Sequence, residues 1–232
     1  MNIALLTAGG IGSRMQQEIP KQFLHVQNKP ILIYTLESFQ HHPSIDAILI
    51  VGLEGWVDII WAYAKQYNIT KLKWVVTGGE TGQDSIRNGL YELKKHCKES
   101  DIIIIHDGNR SLVSKDIISD SLAVQKKYGN AVAVIPCVEV VFKSEDGISS
   151  VTNISRDQLM RTQTPHSYTL GKLLWAHEQS IQHNIKNAVA SCDLMCSLGE
   201  KTYFSKGSER NIKITTPEDI EIFISLLNTR KE

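Results

Sequence analysis

The sequence predicts a doubly wound α/β domain built on a mostly parallel sheet. Two observations lead there. Short runs rich in Ile and Val alternate along the chain with segments of helical spacing, and the first run breaks into a glycine-rich turn. Alternating strands and helices imply parallel strands joined by right-handed crossovers.

The elements follow in order. Residues 3–6 form a short apolar run with no alternation, the pattern of a strand buried on both faces. Residues 47–51, 72–76, 102–106 and 131–135 repeat it. Between them, residues 31–39, 56–67, 85–97 and 117–127 carry apolar side chains at helical spacing. After Pro136 the pattern changes. Residues 138–142 and 148–154 flank the turn Glu145-Asp146-Gly147 and predict a β-hairpin. A hairpin hung on such a sheet exposes an edge that calls for a partner. The chain returns through helices at 171–183, 192–198 and 217–228. Thr216 before Pro217, with Glu218 and Asp219 behind it, is a well-formed helix start. No repeat or low-complexity tract interrupts the 232 residues, which read as a single domain, 1–232, with an inserted arm over 138–160.

Composition narrows the function. Lys and Arg total 25, Asp and Glu total 25, and the formal charge is zero, so the basic excess of a nucleic-acid surface is absent. No apolar stretch reaches the length of a membrane span, and no basic region precedes the first apolar run. A cytoplasmic protein acting on neither nucleic acid nor membrane is expected. Cys97, Cys137, Cys192 and Cys196 form no CxxC pair, which favours reduced thiols over a metal site.

Five clusters could carry chemistry. The first is Ala8-Gly9-Gly10-Ile11-Gly12-Ser13-Arg14, followed by Pro20-Lys21. Glycines at the end of a strand let backbone N–H groups approach an anion, and Arg14 and Lys21 add two positive charges. The spacing fits neither GxGxxG nor GxxxxGK[ST], and the glycines alone also suit a tight strand-to-helix connection. With the two cations, a triphosphate is the expected ligand. The second cluster is His106-Asp107-Gly108-Asn109-Arg110. Asp107 at a strand end is placed to hold Mg²⁺ against phosphates, and Arg110 to pair with a second anion. Asp-Gly is also ordinary turn chemistry. The third, Gly78-Gly79-Glu80-Thr81-Gly82-Gln83-Asp84-Ser85, fits either a base-reading loop or a helix cap. The fourth holds Arg156, Arg161 and Thr164-Pro165, and the fifth is Asn211-Ile212-Lys213-Ile214-Thr215. Isolated cations of this kind are usually solvated.

Taken together, AGGxGxRM…PKQ, GG…S, HDGxR, R…TP and NIKIT resemble the cytidylyltransferases that make methylerythritol diphosphocytidyl intermediates of isoprenoid synthesis. They are equally similar to the relatives that make CDP-ribitol for wall and capsule polymers. The resemblance spans nearly the whole chain, and PKQ is its most specific motif. It implies a Rossmann-like nucleotidyltransferase fold and a homodimer joined by the hairpin arm. It implies that the backbone of Ala8, Gly9, Gly10 and Gly12 cradles CTP, and that Gly79 and Ser85 contact the cytosine. Arg14 and Lys21 would hold the triphosphate and the charge that grows at the α-phosphorus. Asp107 would bind Mg²⁺ or the polyol; Arg110, Thr164 and the catalytic Lys213 would lie at the polyol phosphate, and Arg156 would reach the neighbouring subunit's site. The chain departs from the family pattern at Gly82, where an Arg is usual, at Ser111, where a Pro is usual, and at Ala188-Val189-Ala190-Ser191, which replaces a Thr-Asp-Glu-like segment. These departures touch the alcohol's side and make a wall or capsule polyol at least as good a fit as methylerythritol phosphate.

The reaction so implied is transfer of CMP from CTP to a polyol phosphate, ribitol 5-phosphate or 2-C-methyl-D-erythritol 4-phosphate, with release of pyrophosphate. Two other readings stay open on the residues: a sugar-1-phosphate nucleotidyltransferase using another NTP, and a non-catalytic nucleotide-binding protein. The set Arg14, Lys21, Asp107 and Lys213 argues against the second, because binding alone needs no such charge set.

Overall fold

The computed structural model describes residues 1–10, 19–186 and 188–229. A seven-stranded sheet organises the chain. Its strands are β1 (Asn2–Ala8), β4 (Ala47–Gly52), β5 (Leu72–Thr77), β6 (Ile102–Asp107), β7 (Asn130–Pro136), β10 (Met160–Thr169) and β11 (Phe204–Lys206), in the spatial order β11-β7-β10-β6-β1-β4-β5. The first β1–β4–β5–β6 block is parallel throughout, and β11 is parallel to β7. Between these blocks runs β10, antiparallel to both β6 and β7. Two short pairs complete the strands: β2 (His25–Val26) with β3 (Lys29–Pro30), and β8 (Val141–Lys143) with β9 (Thr152–Ile154).

Alternation along each central strand sends side chains into two cores. Ile3, Leu5, Leu49, Val51, Ile103 and Ile105 face one of them, against helices α3 (Gly82–Lys94), α5 (Leu170–Gln182) and α6 (Ser191–Ser197). Ala4, Leu6, Ile48, Ile50 and Ile104 face the other, against α1 (Ile31–Gln40), α2 (Val57–Gln66) and α4 (Lys115–Tyr128). A third cluster packs α7 (Pro217–Asn228) through Phe223 against Ile31, Leu112 and Ile214. The expected doubly wound, mostly parallel fold is therefore present.

Three elements differ from the sequence reading. Strand β10 was not legible, because its first half is exposed and polar and it contains Pro165. Strand β11 is three residues long and was missed for that reason. The hairpin strands are shorter than the alternation implied: only Val141 to Lys143 pair, with Thr152 to Ile154. Asp146 takes over the intervening chain, accepting from the N–H groups of Ile148 and Ser149 and from the Ser144 and Ser149 hydroxyls, each at 2.9 Å. No described helix is long and apolar enough to cross a membrane.

Candidate active site

A cavity of about 630 Å³ opens beyond the carboxyl ends of β1, β4, β5 and β6. Ligands bind at this edge in doubly wound sheets because loops diverge there. Ala8, Gly9, Gly10, Lys21, Gly79, Ser85, Asp107, Arg110, Thr164 and Lys213 all line it. Gly12 and Arg14 lie outside the described residues.

One end of the cavity is glycine and backbone. Strand β1 delivers Ala8, Gly9 and Gly10 to the rim. The third loop crosses the first turn of α3, where Gly78 donates to Gly52 O at 2.8 Å and Gly79 donates to Ser85 Oγ at 3.0 Å. A side chain at Gly79 would run into Asp84, so only glycine lets the chain pass. Thr81 and Asp84 form a reciprocal capping box that fixes where α3 begins, three residues before Ser85. The cap reading of this loop is thus realised together with its place at the cavity.

Lys21 opens a short 3₁₀ turn, Lys21–Phe23. The turn is pinned on both sides. The buried amide of Gln22 donates to Ala8 O at 2.6 Å, and Phe23 stacks on Trp56 with ring centroids 4.3 Å apart. Gln22 belongs to the PKQ motif, and its role here is to tie Lys21 to the end of β1.

The opposite end is ionic. Asp107 accepts from Arg110 Nε at 2.9 Å through one oxygen and from Lys213 Nζ at 2.9 Å through the other. Its own N–H donates to Thr164 Oγ1 at 3.0 Å. Burial alone would raise its pKa, but Lys213 and Arg110 overcome that and hold the carboxyl well below its usual range. The group is ionised at neutral pH. Arg110 and Asp107 are mostly buried, whereas Lys213 is 43% exposed and stands at the mouth. Among the described residues the cavity as a whole is lined by three cations (Lys21, Arg110 and Lys213) and two carboxylates, Asp107 and the exposed Glu80. The balance favours an anion.

Lys213 is held by contacts that the sequence could not show. Residues 211–215 form no strand; they are bonded to the loop after β6. Ile214 donates to Asn109 O at 3.0 Å, Asn109 Nδ2 donates back to Ile214 O, and Arg110 Nη1 donates to Asn211 O at 2.7 Å. Asn211 in turn donates to Thr164 O at 2.8 Å. Asn109 and Asn211 are buried bracing residues that single-sequence reading missed. Both stand in short polar clusters of the sequence, where nothing local marks them as buried. His106 donates through Nε2 to Arg110 O at 3.1 Å and is kept neutral by burial, with its pKa lowered to about 4. His166 also lines the cavity and is likewise lowered to about 4 by burial. The far wall is apolar, formed by Ile86, Val189 and Ala190.

Arg156 is not part of this cavity. It sits in a 3₁₀ turn after β9, Arg156–Gln158, with Nη1 donating to Val138 O at 3.4 Å. Among the described residues no group of three or more His, Cys, Asp or Glu side chains is placed to hold a metal. Asp107 alone cannot make a protein cage. One carboxylate does suit a magnesium ion that takes most of its oxygens from substrate phosphates, since Asp107 Oδ1 keeps a second lone pair beside its bond from Lys213, whereas Oδ2 accepts from both Arg110 Nε and Thr164 Oγ1.

The chain matches a family model described as 2-C-methyl-D-erythritol 4-phosphate cytidylyltransferase (IspD) over residues 2–228. It is 41% identical to a ribitol-5-phosphate cytidylyltransferase of Lacticaseibacillus paracasei over 233 residues, covering all of both chains. It is 38% identical to a 2-C-methyl-D-erythritol 4-phosphate cytidylyltransferase of Clostridium botulinum over 220 residues, 94% of each. Its fold superposes on the crystal structure of the Francisella tularensis 2-C-methyl-D-erythritol 4-phosphate cytidylyltransferase with a TM-score of 0.80. That alignment covers 96% of this chain and 97% of the other at 28% identity.

Proposed function

The chain belongs to the 2-C-methyl-D-erythritol 4-phosphate cytidylyltransferase family and is a nucleotidyltransferase that moves the cytidylyl group of CTP onto a polyol phosphate; from that premise we propose that its acceptor is ribitol 5-phosphate. What supports this acceptor is the full-length similarity to ribitol enzymes, together with an apolar Val189–Ala190 wall where an acidic segment is usual. The single observation that carries the reaction itself is the cavity's polarity. A glycine-lined end and an Asp107–Arg110–Lys213 end share one space, so that two anionic substrates meet in it.

In this reading the triphosphate lies over Ala8, Gly9, Gly10 and Gly12, and Gly79 and Ser85 meet the base. The acceptor's phosphate lies at Arg110, Thr164 and Lys213. An oxygen of that phosphate attacks the α-phosphorus; the new P–O bond forms as the bond to the β-phosphate bridge breaks, and pyrophosphate leaves. The nucleophile is already an anion, so no general base is needed. Catalysis is positioning plus stabilisation of charge by Arg14, Lys21 and Lys213. Magnesium belongs to the proposal as the ion that travels with the triphosphate: Asp107 would be the carboxylate to hold it, and when bound it would supply neutralisation of phosphate charge.

The arm belongs to the proposal too. Phe142, Ile148 and Val151 are 61%, 91% and 105% exposed, an apolar surface that a second copy would cover. The dimer so formed, a cytoplasmic enzyme, places Arg156 at the acceptor end of the partner's site.

The test is pyrophosphate release from CTP and Mg²⁺ with ribitol 5-phosphate, 2-C-methyl-D-erythritol 4-phosphate and glycerol 3-phosphate. Ribitol 5-phosphate should give the highest kcat/KM. A preference for methylerythritol phosphate overturns the acceptor, and faster release from UTP or GTP overturns the nucleotide.

A further inference from the structure

The loop from Asp107 to Ser111 carries two of the acceptor-end groups and has every carbonyl from 107 to 110 engaged. Asp107 O accepts from Arg110 N at 3.0 Å, Asn109 O from Ile214 N at 3.0 Å, and Arg110 O from His106. The remaining one, Gly108 O, accepts from the hydroxyl of Thr35 at 2.8 Å. Thr35 is fully buried in α1 and lies outside the cavity. Its Oγ1 is also 3.0 Å from Ser111 Oγ, and Ser111 Oγ is 2.9 Å from Ile31 O, in the first turn of α1. Ser111 is buried as well.

Two hydroxyl hydrogens serve this cluster. Ser111 can donate to Thr35 or to Ile31, whose carbonyl also takes the helical N–H of Thr35. Among the described residues Gly108 O has no donor but Thr35. The arrangement that leaves no carbonyl orphaned has Thr35 donating to Gly108, and chains of this kind reinforce themselves in a dry interior. Gly108 cannot retreat toward β1: its N–H already donates to Thr7 O at 2.9 Å, and a Cβ there would stand 2.9 Å from the same oxygen. The loop is held between β1 and α1, and the hydroxyl pair is the α1 side of that grip.

We propose that Thr35 and Ser111 are positioning residues for acceptor binding, holding the Gly108 carbonyl so that Arg110 and Lys213, both held by Asp107, meet the acceptor phosphate. This inference rests on the polyol-phosphate reading of the acceptor end. It assigns work to Ser111, the position where this chain lacks the usual Pro, and to a helix residue that touches neither substrate.

The experiment compares Thr35→Val, Thr35→Ser and Ser111→Ala with the unmodified enzyme. Each is assayed at saturating and limiting CTP and ribitol 5-phosphate, with thermal unfolding alongside. Thr35→Val keeps the shape and removes the donor. It should lower kcat/KM for ribitol 5-phosphate about tenfold to a hundredfold, the range for orphaning a buried carbonyl. KM for CTP should stay within about twofold. Thr35→Ser should restore most of the loss, and Ser111→Ala should fall between. Equal losses toward both substrates, or a Thr35→Ser as impaired as Thr35→Val, overturn the proposal and make the pair ordinary core. A Thr35→Val enzyme with unchanged kinetics also overturns it, whatever its Tm. Should Thr35→Val fail to fold, Thr35→Ser and Ser111→Ala decide: a selective acceptor defect in Ser111→Ala supports the grip, and two wild-type profiles overturn it. An unmodified enzyme inert toward every polyol phosphate overturns the acceptor reading, and this inference with it.

Discussion

Residues 107–111 and residues 138–154 both leave the sheet at the same edge, after the parallel strands β6 and β7. The first segment is bonded to β1, α1, β10 and residues 211–214. The arm is bonded chiefly to itself, through the Asp146 turn and three paired residues, and turns Phe142, Ile148 and Val151 to solvent. A loop tied to four neighbours has its geometry set by the fold of one chain. An arm tied to itself has its position set by whatever it touches. The acceptor end is therefore preorganised on one subunit, and any contribution from Arg156 depends on assembly.

The largest expected effect lies on the preorganised side. Lys21→Ala should cost about 3 kcal/mol of transition-state stabilisation, by analogy with a lost oxyanion donor. Turnover should fall on the order of a hundredfold or more with Tm unchanged, because Gln22 and Phe23 still hold the turn. Activity within a few-fold of wild type would remove Lys21 from catalysis, and loss of the thermal transition would make it structural.

Asp107→Asn comes next. It leaves Arg110 and Lys213 without the charge between them, and kcat/KM for the acceptor should drop about tenfold to a hundredfold, as for a lost charged hydrogen bond. Stability should respond with a defined sign. Because the folded pKa lies below the ordinary value of 3.8, the ionised carboxylate stabilises the fold fully above about pH 4, and that stabilisation is lost as pH falls further. Urea midpoints at pH 7, 4 and 3 should fall less steeply for Asp107→Asn than for wild type. Parallel curves would mean that the two ion pairs add nothing to the fold.

The arm supplies the contrasting case. Arg156→Ala should raise KM for the polyol phosphate roughly tenfold and spare CTP, with Arg156→Lys also impaired because an ammonium cannot make the paired contact of a guanidinium. Mixed dimers of Arg156→Ala with Lys21→Ala should recover activity, since one site then carries both defects and the other neither. A monomer by light scattering, or no recovery in verified mixed dimers, erases the contrast between the two regions.

The smallest effect concerns the core where α5 packs on α3. His177 is buried in α5, and burial lowers its pKa to about 4 from 6.5. Its neutral form therefore supports the fold above pH 6.5, and that support is lost as pH falls toward 4. His177→Gln should shrink the drop in Tm between pH 7 and pH 5. An unchanged drop would assign it to His106 and His166.

Much of this was legible in residue order. Ile3 to Leu6 and Ile103 to Ile105 are buried on both faces of the sheet, and an uninterrupted apolar run says so directly. Ala8, Gly9, Gly10, Lys21, Asp107, Arg110, Thr164 and Lys213 were legible because their chemistry is displayed in short motifs, and all of them line the cavity. Strand β10 was hidden because its pairing with β6 and β7 is not local, and a polar strand containing Pro looks like loop until its neighbours are known. Thr35, Ser111, Asn109 and Asn211 were hidden for the same reason: a buried hydroxyl or amide is recognised by the carbonyl it serves, and that carbonyl lies 47 to 105 residues away in the chain. What the sequence determined by itself is local: the period of each element, the caps that start α3 and α7, and the residue types available for phosphate chemistry. What only the tertiary structure decided is which of these meet. The antiparallel insertion of β10 puts Thr164 beside Asp107, and the return of residues 211–214 puts Lys213 on its other oxygen. Hydrogen bonds and ion pairs act over about 3 Å, so the site exists only where the fold brings distant segments within that reach.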